Sequence, residues 1–306
     1  MPQMRKKNSG FSEIDTQTPA NIQEMQANRK EKKRKKKKKS LVVAIVVVLL
    51  ILLLASAVGG YIYLYTTDSF KIEHVKMNGV IHLTEDEMNQ LAAIPDDTTL
   101  IKVDTDTIIK RLKQDAWIKE VEVVRSFPDT LTINITERTI AAIVEVPTSS
   151  SSMNSKVANG QDSIIRNWAI SSDHVWLMPV PDKNSEVAKN INQQIYTDVE
   201  GVIHICDVSP SVQPEIGAHC TDDTVICAID VVASMTTELK TLVKNVKATD
   251  AFSTNLFLNN GVEIAIGTSE DIRNKERVCL ELLAKYEGKI SYINVRNPSS
   301  PTWRTI

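Results

Sequence analysis

Little in this sequence is suited to chemistry. Its 306 residues hold four cysteines, Cys206, Cys220, Cys227 and Cys279, and no CxxC pair, so no thiolate metal site of ordinary spacing is written into the chain. The five histidines, His74, His82, His174, His204 and His219, are scattered, and none belongs to an HExxH helix. No GxSxG elbow, P-loop or GxGxxG is present. His219 and Cys220 are adjacent, but neighbours on a strand point to opposite faces, whereas a thiolate needs its base facing it. These absences leave an enzyme reading unsupported, and neither cofactor nor metal is expected. An anchored hydrolase with a nonlocal triad stays a remote alternative, to be tested with an activity-based probe.

What the chain does have is one long apolar run. From Leu41 to Tyr65 it reads LVVAIVVVLLILLLASAVGGYIYLY, with no charge inside. As a helix, 25 residues at ~1.5 Å each cross a ~30 Å hydrocarbon core with some tilt. A helix apolar on every face suits lipid better than water. Ala55-Ser56-Ala57 has the small-x-small form of a signal-peptidase site, but the run outlasts a signal core and continues into Tyr61, Tyr63 and Tyr65. An uncleaved anchor is the preferred reading.

Charge is split across it. Residues 1–40 carry thirteen Lys and Arg against four Asp and Glu, a net of +9, and the rest carries 23 against 34, a net of −11. The basic block, closing on the five lysines Lys35 to Lys39, places the amino terminus in the cytoplasm and the acidic body outside. Residues 1–40 have scarcely an aliphatic side chain to bury and read as a disordered tail. The lysines suit an anionic membrane surface at ~1 kcal/mol each, or a cytoplasmic partner. No aromatic residue interleaves them, which argues against nucleic acid.

The outer part is large enough for two modest domains. Its first segment, 70–146, reads as a strand around Phe70 to Met77, a turn at Asn78-Gly79, and a helix opened by the capping box Thr84-Glu85-Asp86-Glu87. A second helix is capped by Asp104, and two strands flank the turn Phe127-Pro128-Asp129-Thr130. Then a polar insertion, 147–163, leads into a mostly β region, 164–296. It has a helix over Asp223 to Leu239, a hairpin at Asn259-Asn260-Gly261, an amphipathic helix after Ser269 or Glu270 and a last strand from Ile290 to Val295. Pro298 and Pro301 stop that strand, and 297–306 reads as a tail. All four cysteines lie in the outer part, where a bridge between Cys206 and Cys220 is the expected pairing. The fold class is α+β.

Strand, helix, helix, strand, strand behind a single anchor resembles a polypeptide-transport-associated (POTRA) domain. Trp117-Ile118, Arg125, Pro128-Asp129-Thr130-Leu131 and Glu137-Arg138 resemble the pattern of the FtsQ/DivIB cell-division family. Ala116 stands where that family often has Pro, Val80 follows the early Gly79, and Ile140 replaces a frequent Pro. Farther on, Gly261 to Gly267, Lys275 and Tyr292-Ile293-Asn294-Val295-Arg296 resemble the family's closing strand, helix and strand, with Asn294 for the usual Asp.

The resemblance implies a non-enzymatic scaffold of the bacterial divisome at the septum, acting on septal peptidoglycan synthesis through protein contacts. It implies partners of the FtsB/DivIC type, FtsL-type coiled-coil membrane proteins and other divisome components. An exposed sheet edge can accept a partner's strand. The expected site is the last strand, as an edge, through Tyr292, Ile293, Asn294, Val295 and Arg296, with Lys275 and Glu276 on the adjoining helix. The first strand, around Lys71 to Lys76, is a second surface. The alternative is an anchored POTRA docking module serving secretion or envelope assembly, and septal localisation separates the two.

Overall fold

The computed structural model describes residues 19–66, 70–148 and 164–306; most of the expected tail's first half (1–18) and most of the insertion (149–163) lie outside the described residues. The chain divides into two compact units, Met1–Thr67 and Asp68–Ile306. The described residues of the first are one helix, α1 (Pro19–Thr66). Its Leu41–Tyr65 segment has a mean hydropathy of 3.4 and is the one described helix long and apolar enough to cross a membrane. The helix starts earlier than composition suggested. Lys, Arg, Glu and Gln are good helix formers, and beside an apolar helix they extend an existing ladder without a new nucleus.

The second unit opens with β1 (His74–Asn78), α2 (Glu85–Ala92), α3 (Thr105–Leu112), β2 (Ile118–Ser126) and β3 (Thr130–Glu137). Both helices start where the sequence places them. Thr84 and Glu87 form the reciprocal capping box, and Asp104 accepts from the Asp106 and Thr107 N–H groups. The strands form a three-stranded sheet in the order β1-β3-β2, with β1 parallel and β2 antiparallel to β3. Met88, Ala92, Ile108 and Leu112 from the helices meet Leu131, Ile133 and Ile135 of β3 in its core.

The strand following this module, β4 (Ile140–Thr148), does not belong to it. It pairs with β5 (Ile164–Ser171) and β7 (His204–Cys206), so the first module ends near Arg138 and not at Val146. The remaining elements are β6 (Trp176–Val180), α4 (Gln194–Asp198), α5 (Asp223–Ser234), α6 (Thr237–Leu242), β8 (Val243–Ala248), β9 (Thr254–Leu258), β10 (Glu263–Gly267), α7 (Ile272–Lys285), β11 (Ile290–Asn294) and β12 (Thr302–Thr305). The helix expected over Asp223 to Leu239 is two, because Thr236 caps a fresh start by accepting from the Leu239 N–H. Nine strands form one mixed sheet in the order β12-β11-β10-β9-β8-β7-β4-β5-β6.

Against it, α5 contributes the fully buried Val225, Ala228, Ile229 and Val231, and α7 contributes Cys279, to one large core. A smaller cluster, Ile143, Ala169, Leu177 and Ile195, takes in Trp117 from the first module. All four cysteines are free thiols, so the expected Cys206–Cys220 bridge is not formed. Cys206 instead hydrogen-bonds the Val246 carbonyl across to β8.

Candidate partner-docking edge

The last strand of the sequence reading is not the margin of the sheet. β11 is paired on both sides, parallel to β10 and antiparallel to β12. After β11, Pro298 and Pro301 stop one strand only to turn the chain back, and Thr302-Trp303-Arg304-Thr305, rich in β-formers, closes the sheet as β12. The edge therefore belongs to residues expected to be a tail. All four of its residues are exposed.

This edge has two distinct faces. In the β11–β12 register Ile293 lies opposite Trp303 and Tyr292 opposite Arg304. Ile293 is fully buried, and Trp303 carries that face outward to the half-buried ring of Tyr286 at the end of α7, with centroids 5.6 Å apart. Trp303 is still 40% exposed, so much of its apolar area faces water. On the opposite face the Arg304 guanidinium lies 4.5 Å from the Tyr292 ring centroid. The Ser291 hydroxyl donates to the Arg304 and Thr305 carbonyls, and the Ile306 N–H donates to the Lys289 carbonyl, holding the strand against β11. The opposite sheet margin, β6, carries Pro179, which lacks one ladder donor; β12 carries no proline.

The residues singled out from the sequence divide accordingly. Ile293 and Val295 are fully buried and belong to the core. Tyr292 and Asn294 are half-buried, and the Asn294 side chain accepts from the Arg296 N–H. Arg296 is exposed, and its guanidinium donates to the Ser253 hydroxyl. Lys275 and Glu276 are only 4% and 3% exposed. Lys275 donates to the Thr268 carbonyl at 2.9 Å, and burial holds its ammonium below the usual lysine range. Glu276 accepts from the Thr236 N–H at 3.2 Å and from its hydroxyl. That pair fastens α7 to the start of α6. Of the seven residues, Tyr292, Asn294 and Arg296 retain surface beside the true edge.

The motif residues of the first module hold it together and join it to the large sheet. Arg125 donates to the Val103 carbonyl, Leu131 is fully buried, and Pro128 sits in the β2–β3 turn. Arg138 donates to the Ala116 and Ile118 carbonyls and pairs with Asp173 at 2.9 Å. Glu137 accepts from the Ile81 and His82 N–H groups and from the His82 ring, and Trp117 stacks on that ring. His82 was invisible in the sequence as more than a stray histidine. At the margin of β1, Glu73, His74 and Asp129 hold possible ligand atoms within 4.8 Å of one another. Two of the three are exposed, so water competes for each donor and the group is not a built metal site.

Comparison with known proteins fits this arrangement. Residues 70–138 match the POTRA domain, FtsQ-type. The chain is 41% identical to the cell division protein FtsQ of Streptomyces bingchenggensis over 83 residues, 27% of this chain and 31% of that protein. It is 33% identical to the cell division protein DivIB of Staphylococcus aureus over 84 residues, 28% of this chain and 19% of that one. A longer alignment, 24% identical over 234 residues, joins it to the FtsQ of Corynebacterium glutamicum and spans 76% of this chain and 86% of the relative. In the first two of these relatives the matched part is a third of their length or less. The fold and the matches define a single-pass membrane protein with a POTRA domain ahead of a nine-stranded α+β domain. Within that class residues 70–138 are an FtsQ-type POTRA domain, and the chain is similar to proteins of the FtsQ/DivIB family.

Proposed function

We propose that the protein is a non-enzymatic scaffold of the divisome, held in the cell membrane with its amino terminus in the cytoplasm and its two folded domains outside. In this reading it captures a coiled-coil membrane division protein of the FtsB/DivIC type, alone or with an FtsL-type companion, at the septum. Through such contacts, and through other divisome components, it contributes to control of septal peptidoglycan synthesis. Lys35 to Lys39 add attraction for the anionic inner surface of the membrane.

The observation that carries the reading is the edge strand β12. It has backbone on one side without a strand neighbour among the described residues, an exposed indole on one face and an arginine on the other. Strand addition there would extend the nine-stranded sheet by main-chain hydrogen bonds, with Trp303 and Tyr286 gripping an apolar side chain of the partner. Thr305→Pro removes a donor from the free margin of the edge strand, because the Ile306 N–H, and by alternation the Arg304 N–H, face β11. Pull-down of candidate coiled-coil partners by the full chain in detergent should then fail, while the circular dichroism spectrum stays that of the parent. Undiminished capture by the proline variant refutes docking at β12. Loss of septal foci in cells carrying it would favour the divisome over a secretion role.

A further inference from the structure

His82, in the loop between β1 and α2, touches both outer domains. Its Nδ1 lies 2.5 Å from Glu137 Oε2 at the end of β3, and its Nε2 lies 2.6 Å from Asp198 Oδ2 at the end of α4. The ring stacks on Trp117, centroids 3.7 Å apart and planes 13° from parallel. The His82 carbonyl accepts from Asn192 Nδ2 at 2.7 Å, a second tie to the loop that leads into α4. The side chains of His82, Glu137 and Asp198 are 10%, 4% and 27% exposed.

The donor count is decisive. Glu137 already accepts the Ile81 and His82 N–H groups, and the other oxygen of Asp198 accepts Gln194 Nε2 at 3.1 Å. Each carboxylate thus offers lone pairs to the ring, and a neutral imidazole has one N–H for two acceptors. Only the imidazolium satisfies both ends. We propose that the joint between the POTRA domain and the nine-stranded domain is a proton-operated latch, closed when His82 is doubly protonated between Glu137 and Asp198.

Opening needs no other chemistry. The ring gives one proton to water or hydroxide, and the bared nitrogen then faces a carboxylate. Glu137 keeps its two backbone donors and its burial, so the repulsion is relieved at the more exposed Asp198, and α4 lets go. Other charges at the joint are Asp115 before β2, Glu87 on α2 and Arg138 next to Glu137. Asp115 has its carboxyl held above the usual range by burial and by the nearby Glu137 and Glu87. Burial alone would lower the ring's proton affinity, but the hydrogen bonds and charges of Glu137 and Asp198 raise it above the ordinary 6.5. Since the folded value is the raised one, the latch's stabilisation is complete below the ordinary histidine value and is lost as pH rises through the folded value.

The test is amide hydrogen exchange of residues 192–203 in the full chain, in lipid nanodiscs, corrected for intrinsic pH dependence between about pH 5 and 9. The parent should exchange about ten-fold faster there at the alkaline end, and His82→Gln should be flat. Asp198→Asn, at the more exposed end, keeps the question open to decision should His82→Gln misfold. It should move the His82 imidazole titration, followed by NMR, down by about one unit. An exchange profile flat in the parent, a pH step that survives His82→Gln, or a His82 titration untouched by Asp198→Asn each overturns the latch.

Discussion

Gly79 and Ile135 meet backbone to backbone: a Cβ built on Gly79 would lie 2.1 Å from the Ile135 carbonyl oxygen. Gly79 also has φ of +84°, in the region that side chains avoid. The turn after β1 thus presses against β3. Gly79→Ala combines left-handed strain with a main-chain clash, and should cost at least about 2 kcal/mol. For a unit of this size that lowers Tm by roughly 4–8 °C, readable by calorimetry on the full chain in detergent. A variant as stable as the parent would mean β1 can shift freely along β3.

Glu276 and Thr236 form a buried tie between α7 and α6. Removing the carboxylate leaves a capped helix start without its acceptor, and Glu276→Ala should destabilise by about 2–4 kcal/mol. Thr236→Ala removes both the cap and the tie. Because the two share one interaction, the double variant should cost less than the sum, by about 1 kcal/mol or more in a denaturant cycle. Additive costs would show that the contact contributes nothing of its own. Any loss of partner capture in Glu276→Ala then reflects a loosened fold.

Asp173 ties the two outer domains through Arg138. Burial pushes its carboxyl up, but the Ser171 hydroxyl and the Arg138 guanidinium more than offset this, and the net shift is below the ordinary 3.8. A depressed folded value means stability that is present above the ordinary value and disappears as pH falls through the folded one. Asp173→Asn should therefore be less stable than the parent by about 1–2 kcal/mol at neutral pH. The two unfolding curves should converge as pH falls below the ordinary 3.8 and through the folded value, where acid protonates Asp173. A constant gap across the acid range would remove Asp173 from the acid response.

The thiols give a chemical check on the packing. Burial pushes Cys279 up to about 12, and Cys206 and Cys220 are raised as well, first by burial. At pH 8 only about one Cys279 in ten thousand is thiolate, so iodoacetamide should spare it in the native chain and label it on unfolding. Mass spectrometry of the denatured, unreduced chain should count four alkylated cysteines. A count of two would restore the bridge that composition suggested.

Local signals were readable in the sequence wherever a few neighbours decide the backbone. Thr84 with Glu87, Asp104 and the Asn259-Asn260-Gly261 hairpin all stand where their chemistry puts them. The failures are long-range. Ile140-Ala141-Ala142-Ile143-Val144 is an unbroken apolar run that suits a strand of either sheet, and only its pairing with β5 and β7 assigns it to the larger one. Pro298 and Pro301 are true stops, but a stop does not say whether four β-forming residues beyond it return to the sheet. Lys275 and Glu276 look like surface on a helix, and their acceptor and donor, Thr268 and Thr236, are fixed by tertiary packing. His82 meets its ring partners 55 and 116 residues away, beyond any spacing rule.

That distinction between core and edge within one hairpin separates docking from folding. Ile293 and Trp303 face each other across the β11–β12 register, the first fully buried and the second 40% exposed. Ile293→Ala removes buried methylenes and should cost about 2–4 kcal/mol of stability. Below its melting range the fold survives and the exposed edge is unchanged, so partner affinity should stay within about three-fold of the parent. Trp303→Ala deletes a half-solvated ring and should cost the fold about 1 kcal/mol or less. At a docking surface an aromatic anchor is worth more, about 2 kcal/mol or above, or a thirty-fold weaker partner complex. Titration of both variants with one coiled-coil partner, beside their melting curves, checks both halves. The opposite pattern, with affinity lost in Ile293→Ala and kept in Trp303→Ala, would return the meeting place to β11 and take it from β12.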